Sequence, residues 1–165
     1  MDLAQGWVHL LANKLKQEAF PYQVINASIS GDTSHGGLSR LPASLHKHQP
    51  QIVIIELGAN DGLRGLPLQE LRQNLAQMIQ LSTAAGAKVL LLGMRLPPNY
   101  GPIYTRAFEE IFSTLAREYD TGLLPFFLDG IANQRKLFQA DNLHPSTEAQ
   151  AILLNNIWQK LLPLL

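Results

Sequence analysis

The feature that most constrains the fold is an unbroken run of β-branched residues at positions 52–55, which reads Ile-Val-Ile-Ile. Such a run is typical of a strand that is buried on both faces of a parallel sheet. Gly58 ends the strand, residues 59–62 predict a tight polar turn, and a helical pattern begins near Leu68. In open α/β sheets, ligands bind beside the loops that follow the carboxyl ends of the strands. This loop is therefore a candidate site, although an ordinary Asn-Asp-Gly turn explains the same residues.

Apolar residues recur at helical spacing along most of the remaining chain. The spacing predicts helices over residues 3–19, 37–48, 68–85 and 104–119, a short helix within 129–137, and a final helix that Ser146 or Thr147 caps. Short strands are predicted at 23–26, 88–94 and 123–127. Pro42 is expected in the first turn of the helix at 37–48. Gly86 is expected to end the helix at 68–85. This order predicts a three-layer α/β fold with a parallel sheet, in one domain spanning residues 1–165.

The composition narrows the possible classes of function. Thirteen basic and thirteen acidic residues cancel, so no general field favours nucleic acid or an anionic membrane. The chain contains no cysteine, which excludes a disulfide, a thiol nucleophile and a thiolate metal site, and leaves the compartment open. The longest apolar runs are far shorter than the roughly 20 residues that a membrane-spanning helix requires. We also expect no signal peptide, since the first residues lack a basic start and an apolar core.

Four residues in three loops have side chains or backbone groups suited to acyl-transfer chemistry. Gly31 lets its backbone N–H approach a ligand closely, and Asn60 offers an amide donor, so together they suit the oxyanion of a tetrahedral intermediate. Asp141 precedes His144 by three residues and is placed to orient its imidazole, which leaves one ring nitrogen as a general base. Each residue also has a simpler interpretation: a turn glycine, a local turn asparagine and an ordinary surface loop.

Four ordered segments give the chain a resemblance to a known superfamily. They read INASISGDTS at 25–34, ELGANDGLRG at 56–65, LPPNYG at 96–101 and DNLHP at 141–145. Together they resemble the SGNH (GDSL) hydrolases, and within that superfamily the bacterial thioesterase I, lysophospholipase and arylesterase group. The resemblance runs along nearly the whole chain and implies a flavodoxin-like α/β/α fold.

The resemblance also implies roles for individual residues. Gly31 and Asn60 match the oxyanion-hole donors, and Asp141 and His144 match the catalytic acid and base. Residues 58–65 match a mobile loop beside the acyl site. The implied substrate-binding residues are Ala59, Asp61, Leu96 and Pro97.

The nucleophile that the resemblance implies is absent from the sequence. In the family it lies in a Gly-Asp-Ser-Leu block at the end of the first strand, and no such block occurs in the 165 residues. The similar residues 31–34 match the family's second block instead, so Ser28, Ser30 and Ser34 are poor nucleophile candidates. We therefore expect that the chain is truncated or that Met1 is a wrongly chosen start. The first strand, which is central in the family's sheet, is then also missing.

The implied reaction is hydrolysis of carboxylic esters or thioesters, including aryl esters and lysophospholipids, through a serine, a histidine and an aspartate. Two alternatives remain open: an inactive fragment or pseudoenzyme that keeps the fold, and an SGNH carbohydrate esterase. We expect a monomer whose partner is a small acyl ester or thioester, with no nucleic acid, no stable membrane insertion, and no metal or organic cofactor. The compartment is unknown, although relatives in this group are often periplasmic or secreted.

Overall fold

The structure, a computed structural model, describes residues 5–165, which divide into two compact units. The sheet unit comprises residues 27–126 with Leu164, and the helical unit comprises residues 5–26 and 127–163 with Leu165. The expectation of a single domain stays a prediction. The elements in chain order are α1 (Trp7–Gln17), α2 (Ser34–His48), β1 (Ile52–Ile55), α3 (Ala59–Leu63), α4 (Leu68–Ala84), β2 (Lys88–Leu92), α5 (Pro102–Glu118), β3 (Gly122–Leu124) and α6 (Gln150–Leu161).

Within the described residues, the sheet has three parallel strands in the order β1, β2, β3. Ile52 pairs with Lys88 and Ile55 with Leu91. The central strand β2 is buried along its last four residues, as a strand with a neighbour on each side requires. The predicted α/β fold with a parallel sheet is confirmed.

The burial predicted for residues 52–55 holds only in part. Ile55 is buried, whereas Ile52, Val53 and Ile54 are half-buried. The reason is that β1 lies at one edge of the described sheet and pairs only with β2 there. An edge strand keeps part of its apolar surface uncovered.

Two strand predictions need correction. Residues 23–26 form no strand, because within the described residues no strand lies beside them to accept their backbone hydrogen bonds, and their side chains stay largely exposed. The strand predicted at 123–127 is β3, which ends at Leu124 because Pro125 has no N–H to donate to a ladder.

The start of α2 lies three residues before the predicted one. Thr33 caps the helix, since its hydroxyl oxygen accepts a hydrogen bond from the Gly36 N–H at 3.3 Å. Pro42 therefore lies inside the helix instead of in its first turn, and the prediction for it is wrong. Pro42 is exposed, and because it has no N–H, the carbonyl four residues earlier receives no helical hydrogen bond from it.

Residues 59–62 form the start of the short helix α3 instead of the predicted tight turn. The Gly62 N–H donates to the Gly58 carbonyl at 3.0 Å, which closes a helical turn directly after the strand. The predicted end of α4 at Gly86 is confirmed, because the Ala87 N–H reaches back to the Ser82 carbonyl at 3.0 Å.

The core of the sheet unit lies between the sheet and the helices α4 and α5. Phe108 and Phe112 of α5 meet edge to face, with ring centroids 5.5 Å apart. The other fully buried side chains in this core include Leu71, Leu75, Ile79, Leu91 and Leu115.

The helical unit has its own core, in which α1 packs against α6. Leu11 and Leu15 are buried on one side, and Leu153 and Ile157 are buried on the other. The helix predicted within 129–137 is only a 3₁₀ turn at Arg135–Leu137. Ser146 precedes the last helical segment as predicted, but its hydroxyl donates to Glu148 at 2.6 Å instead of capping the backbone.

The helix predicted over residues 3–19 is α1, which begins at Trp7; residues 3 and 4 of that prediction lie outside the described part. None of the described helices is both long enough and apolar enough to cross a membrane.

We predict that Gly62→Ala destabilises the protein. Alanine is normally the better helix residue by about 0.5–1 kcal/mol, but a Cβ at this position would lie 2.7 Å from both Leu96 Cδ2 and Phe108 Cε2. We expect this overlap to lower the free energy of unfolding by about 1–3 kcal/mol in urea titrations. Gln73→Ala, at an exposed position of α4, is the control and should change little. A Gly62→Ala protein as stable as the parent would contradict the packing described for α3.

Candidate active site

The predicted aspartate–histidine pair forms in the helical unit. Asp141 Oδ2 lies 2.7 Å from His144 Nδ1. The other carboxylate oxygen, Oδ1, accepts hydrogen bonds from the backbone N–H groups of Leu143 at 2.9 Å and His144 at 3.0 Å. One carboxylate therefore holds both the backbone and the ring of His144.

A closed loop brings these two residues together. Phe138 and Pro145 form an antiparallel bridge, and the Gln139 N–H donates to the His144 carbonyl at 2.8 Å. Asn142 turns the chain between them with a φ of 57°, a left-handed conformation that asparagine adopts more readily than most residues. The turn thus brings the side chains of Asp141 and His144, three residues apart in the sequence, into direct contact.

Hydrogen bonding lowers the pKa of Asp141 well below the ordinary value for aspartate. The ring of His144 is the main cause, followed by the N–H groups of His144 and Leu143. The carboxylate is therefore ionised at neutral pH and only accepts, so His144 Nδ1 carries the proton. Because the side chains of His144 and Asp141 are 61% and 45% exposed, solvent screens their attraction and the bond acts mainly to orient the ring.

The structure brings the two predicted oxyanion donors together in the sheet unit. Gly31 lies in a turn that the Asp32 N–H closes onto the Ile29 carbonyl at 3.3 Å. Its φ of 78° is a conformation that favours glycine. Asn60, at the start of α3, donates from Nδ2 to the Asp32 carbonyl at 2.9 Å. The asparagine amide is thereby held against the turn that contains Gly31.

Asp61 is buried, and both of its carboxylate oxygens accept hydrogen bonds from Ser34. The Ser34 N–H donates at 2.9 Å and the Ser34 hydroxyl at 2.5 Å, while Asn74 of α4 donates to the same hydroxyl oxygen at 2.9 Å. Asp61 is 3% exposed and Ser34 0% exposed. This arrangement joins α2, α3 and α4, and the geometry favours a positioning role for Asp61.

The other predicted substrate-binding residues, Leu96, Pro97 and Ala59, differ in their exposure to solvent. Leu96 is 8% exposed and packs near Gly62 of α3. Pro97 is exposed, and Ala59 is half-buried at the first position of α3. Their substrate-binding roles stay predictions.

A further contact, not predicted from the sequence, supports the Gly31 turn. Arg40 of α2 donates from Nε to Asp32 Oδ2 at 2.9 Å and from Nη1 to the Ala27 carbonyl at 2.5 Å. Asp32 therefore anchors the loop to α2. A sequence signal could have indicated the role of Asn74, because it is a polar residue next to Leu75 at the border of the apolar face of α4. The sequence contains no comparable signal for the role of Arg40.

The predicted site residues thus form two hydrogen-bonded groups, one in each unit: Asp141 with His144, and the Gly31 turn with Asn60. In the described part of the chain, no cluster of three or more His, Cys, Asp or Glu side chains is arranged to hold a metal ion.

We predict that the side-chain carboxyl of Asp141 titrates well below the value of about 3.9 for a free aspartate. Carbon-13 NMR of this carboxyl as a function of pH measures the midpoint directly. His144→Ala removes the main hydrogen bond, so it should raise the midpoint toward the ordinary value, whereas His46→Ala on α2 should leave it unchanged. An ordinary midpoint in both the parent and His144→Ala would show that the pair does not form in solution.

Comparison with known proteins places the chain in a family. Residues 2–152 match the GDSL-like lipase/acylhydrolase family. The chain is 54% identical over 165 residues to esterase TesA of Pseudomonas aeruginosa, covering 100% of this chain and 82% of that protein. It is 44% identical over 164 residues to thioesterase 1/protease 1/lysophospholipase L1 of Escherichia coli K12, covering 99% of this chain and 77% of that protein.

A crystal structure of TesA, 54% identical, superposes with a TM-score of 0.97 over 100% of this chain and 92% of that chain. The resemblance to SGNH hydrolases and their fold is therefore confirmed. The chain belongs to the GDSL-like lipase/acylhydrolase family of hydrolytic enzymes.

Proposed function

We propose that this protein hydrolyses carboxylic esters and thioesters with an apolar acyl or aryl part, including lysophospholipids, by transferring the acyl group to a serine and then to water. The observation that carries the proposal is the contact of 2.7 Å between His144 Nδ1 and the ionised carboxylate of Asp141. The names of the similar proteins, an esterase and a thioesterase/lysophospholipase, support the same class of substrate.

His144 acts as the general base and then as the general acid. Its Nδ1 proton is held by Asp141, so Nε2 is free to take the proton of the serine hydroxyl as that oxygen attacks the acyl carbon. Nε2 then gives the proton to the departing alcohol or thiol. In the second half-reaction the same nitrogen takes a proton from water as the water oxygen attacks the acyl carbon. Nε2 then gives that proton to the serine oxygen as the bond between this oxygen and the acyl carbon breaks, which releases the acid and restores the serine hydroxyl.

Gly31 and Asn60 stabilise the negative charge that develops on the acyl oxygen. The Asn60 amide has two N–H bonds, and one of them donates to the Asp32 carbonyl. The second is available to the oxyanion together with the backbone N–H of Gly31. Donors fixed before the reaction stabilise the transition state without reorganising.

The serine in this proposal lies outside the 165 residues. The Ser34 hydroxyl is buried and donates to Asp61, with Asn74 donating to its oxygen, so it is committed to a structural network. The second candidate function follows from the same observation: these residues alone keep the fold and bind acyl ligands without turnover.

Labelling with a fluorophosphonate, which needs an activated serine, distinguishes the two candidates. We expect no labelling of the 165-residue chain, and labelling at one serine in a chain extended by the residues that its gene encodes before Met1. Circular dichroism establishes that both proteins are folded. Labelling of the shorter chain at Ser28, Ser30 or Ser34 would overturn the placement of the serine. A folded extended chain that remains unlabelled would overturn the acyl-transfer mechanism.

We predict that His144→Ala lowers kcat for p-nitrophenyl esters by about 10²–10⁴-fold in the extended chain, because general base catalysis is lost. Asn60→Ala should lower kcat by about 10²–10³-fold through loss of an oxyanion donor. His46→Ala, at an exposed position near the end of α2, is the control and should retain full activity. Steady-state kinetics that show His144→Ala and His46→Ala to be equally active would refute the assignment of the base.

A further inference from the structure

Backbone hydrogen bonds join the start of the loop between α3 and α4, residues 64–67, to the end of α3. The Leu66 N–H donates to the Asp61 carbonyl and the Gly65 N–H to the Gly62 carbonyl, both at 3.0 Å. Gly65 has a φ of 65°, so this is the left-handed cap that commonly ends a helix. Arg64 and Gly65 themselves are exposed.

Two tyrosine hydroxyls hold this loop from α5 and the turn before it. Tyr100 donates to the Leu63 carbonyl at 2.9 Å, and Tyr104 donates to the Leu66 carbonyl at 3.0 Å. Burial raises the pKa of Tyr104, and the charges of Asp61 and Tyr100 add to the effect. The hydroxyl of Tyr104 therefore keeps its proton and remains a donor at neutral pH.

Arg64 lies between the two carbonyls that the tyrosines hold. Its Nη2 donates to the Gly31 carbonyl at 2.9 Å. Asn60, four residues earlier on α3, donates to the Asp32 carbonyl. Residues four apart share one face of a helix, so these two side chains reach consecutive carbonyls of the same turn.

We infer that Tyr100, Tyr104 and Arg64 are positioning residues that act as one hydrogen-bonded clasp. The tyrosines fix the loop, the loop fixes Arg64, and Arg64 together with Asn60 fixes the turn that contains Gly31. The clasp keeps the Gly31 N–H and the Asn60 amide in their donor arrangement. Its effect on catalysis rests on the proposed function, whereas its effect on the loop and the turn does not.

Hydrogen exchange of individual backbone amides tests the clasp without any need for activity. Tyr100→Phe and Tyr104→Phe each remove one hydroxyl and keep the ring, so we expect roughly 5–10-fold faster exchange at Gly65, Leu66 and Asp32. Arg64→Ala should speed exchange at Asp32, whose N–H closes the Gly31 turn, and leave Gly65 and Leu66 unchanged. The matched control is Tyr119→Phe at the end of α5, which removes a hydroxyl that accepts a hydrogen bond from Gln80 of α4.

Exchange in the tyrosine variants that equals that in Tyr119→Phe would overturn the tyrosine part of the clasp. Unchanged exchange at Asp32 in Arg64→Ala would overturn the link to the Gly31 turn. Chemical denaturation of each variant, measured in parallel, separates local loosening from global loss of stability.

Steady-state kinetics of the extended chain test whether the clasp affects catalysis. We expect Arg64→Ala to lower kcat about tenfold with KM within twofold, and Arg64→Lys to restore part of kcat, because a lysine supplies a donor in the same place. Equal kcat for Arg64→Ala and the parent would overturn the positioning role. If the parent itself does not hydrolyse esters, the proposed function fails, and the exchange experiment still decides whether the clasp exists.

Discussion

The buried carboxylate of Asp61 is the interaction on which the loops of the sheet unit depend. It is 3% exposed and accepts two hydrogen bonds from Ser34, the first residue of α2. Burying a carboxylate without such donors costs several kcal/mol. The N–H of Ser34 also lies at the positive end of the α2 dipole, which favours a negative charge there. Because Asp61 adjoins Asn60 in α3 and Ser34 follows the Gly31 turn, this one contact holds both oxyanion candidates close to their final positions.

Parallel strand pairing explains why residues from separate loops meet in this unit. The pairing of Ile55 with Leu91 brings the carboxyl ends of β1 and β2 to the same edge of the sheet. The chain after β1 then forms α3, and the chain after β2 leads to Leu96, which packs against Gly62. The hydrolytic chemistry of a family with this fold resides in such loops, because the sheet supplies a rigid edge from which short polar segments project.

The positions of most elements could be predicted from the sequence, and the exceptions have local causes. The long apolar periodicity of α4 and the β-branched run of β1 are strong signals, whereas residues 23–26 offered only two adjacent apolar side chains. Pro42 was placed in a first turn because a proline is tolerated there, yet the cap at Thr33 moved the start of the helix. The spacing of Asp141 and His144 allowed either an oriented imidazole or an ordinary surface loop, and the structure shows the direct contact between the two side chains.

The sequence by itself determined the class of the fold and the family. Only the tertiary structure decided that Asp61 is buried and bonded to Ser34, and that Asn60 and Arg64 reach consecutive carbonyls of the Gly31 turn. Local patterns report propensities within a few residues of the chain. Hydrogen bonds between residues about 30 positions apart depend on how the strands and helices pack, so no local pattern contains them.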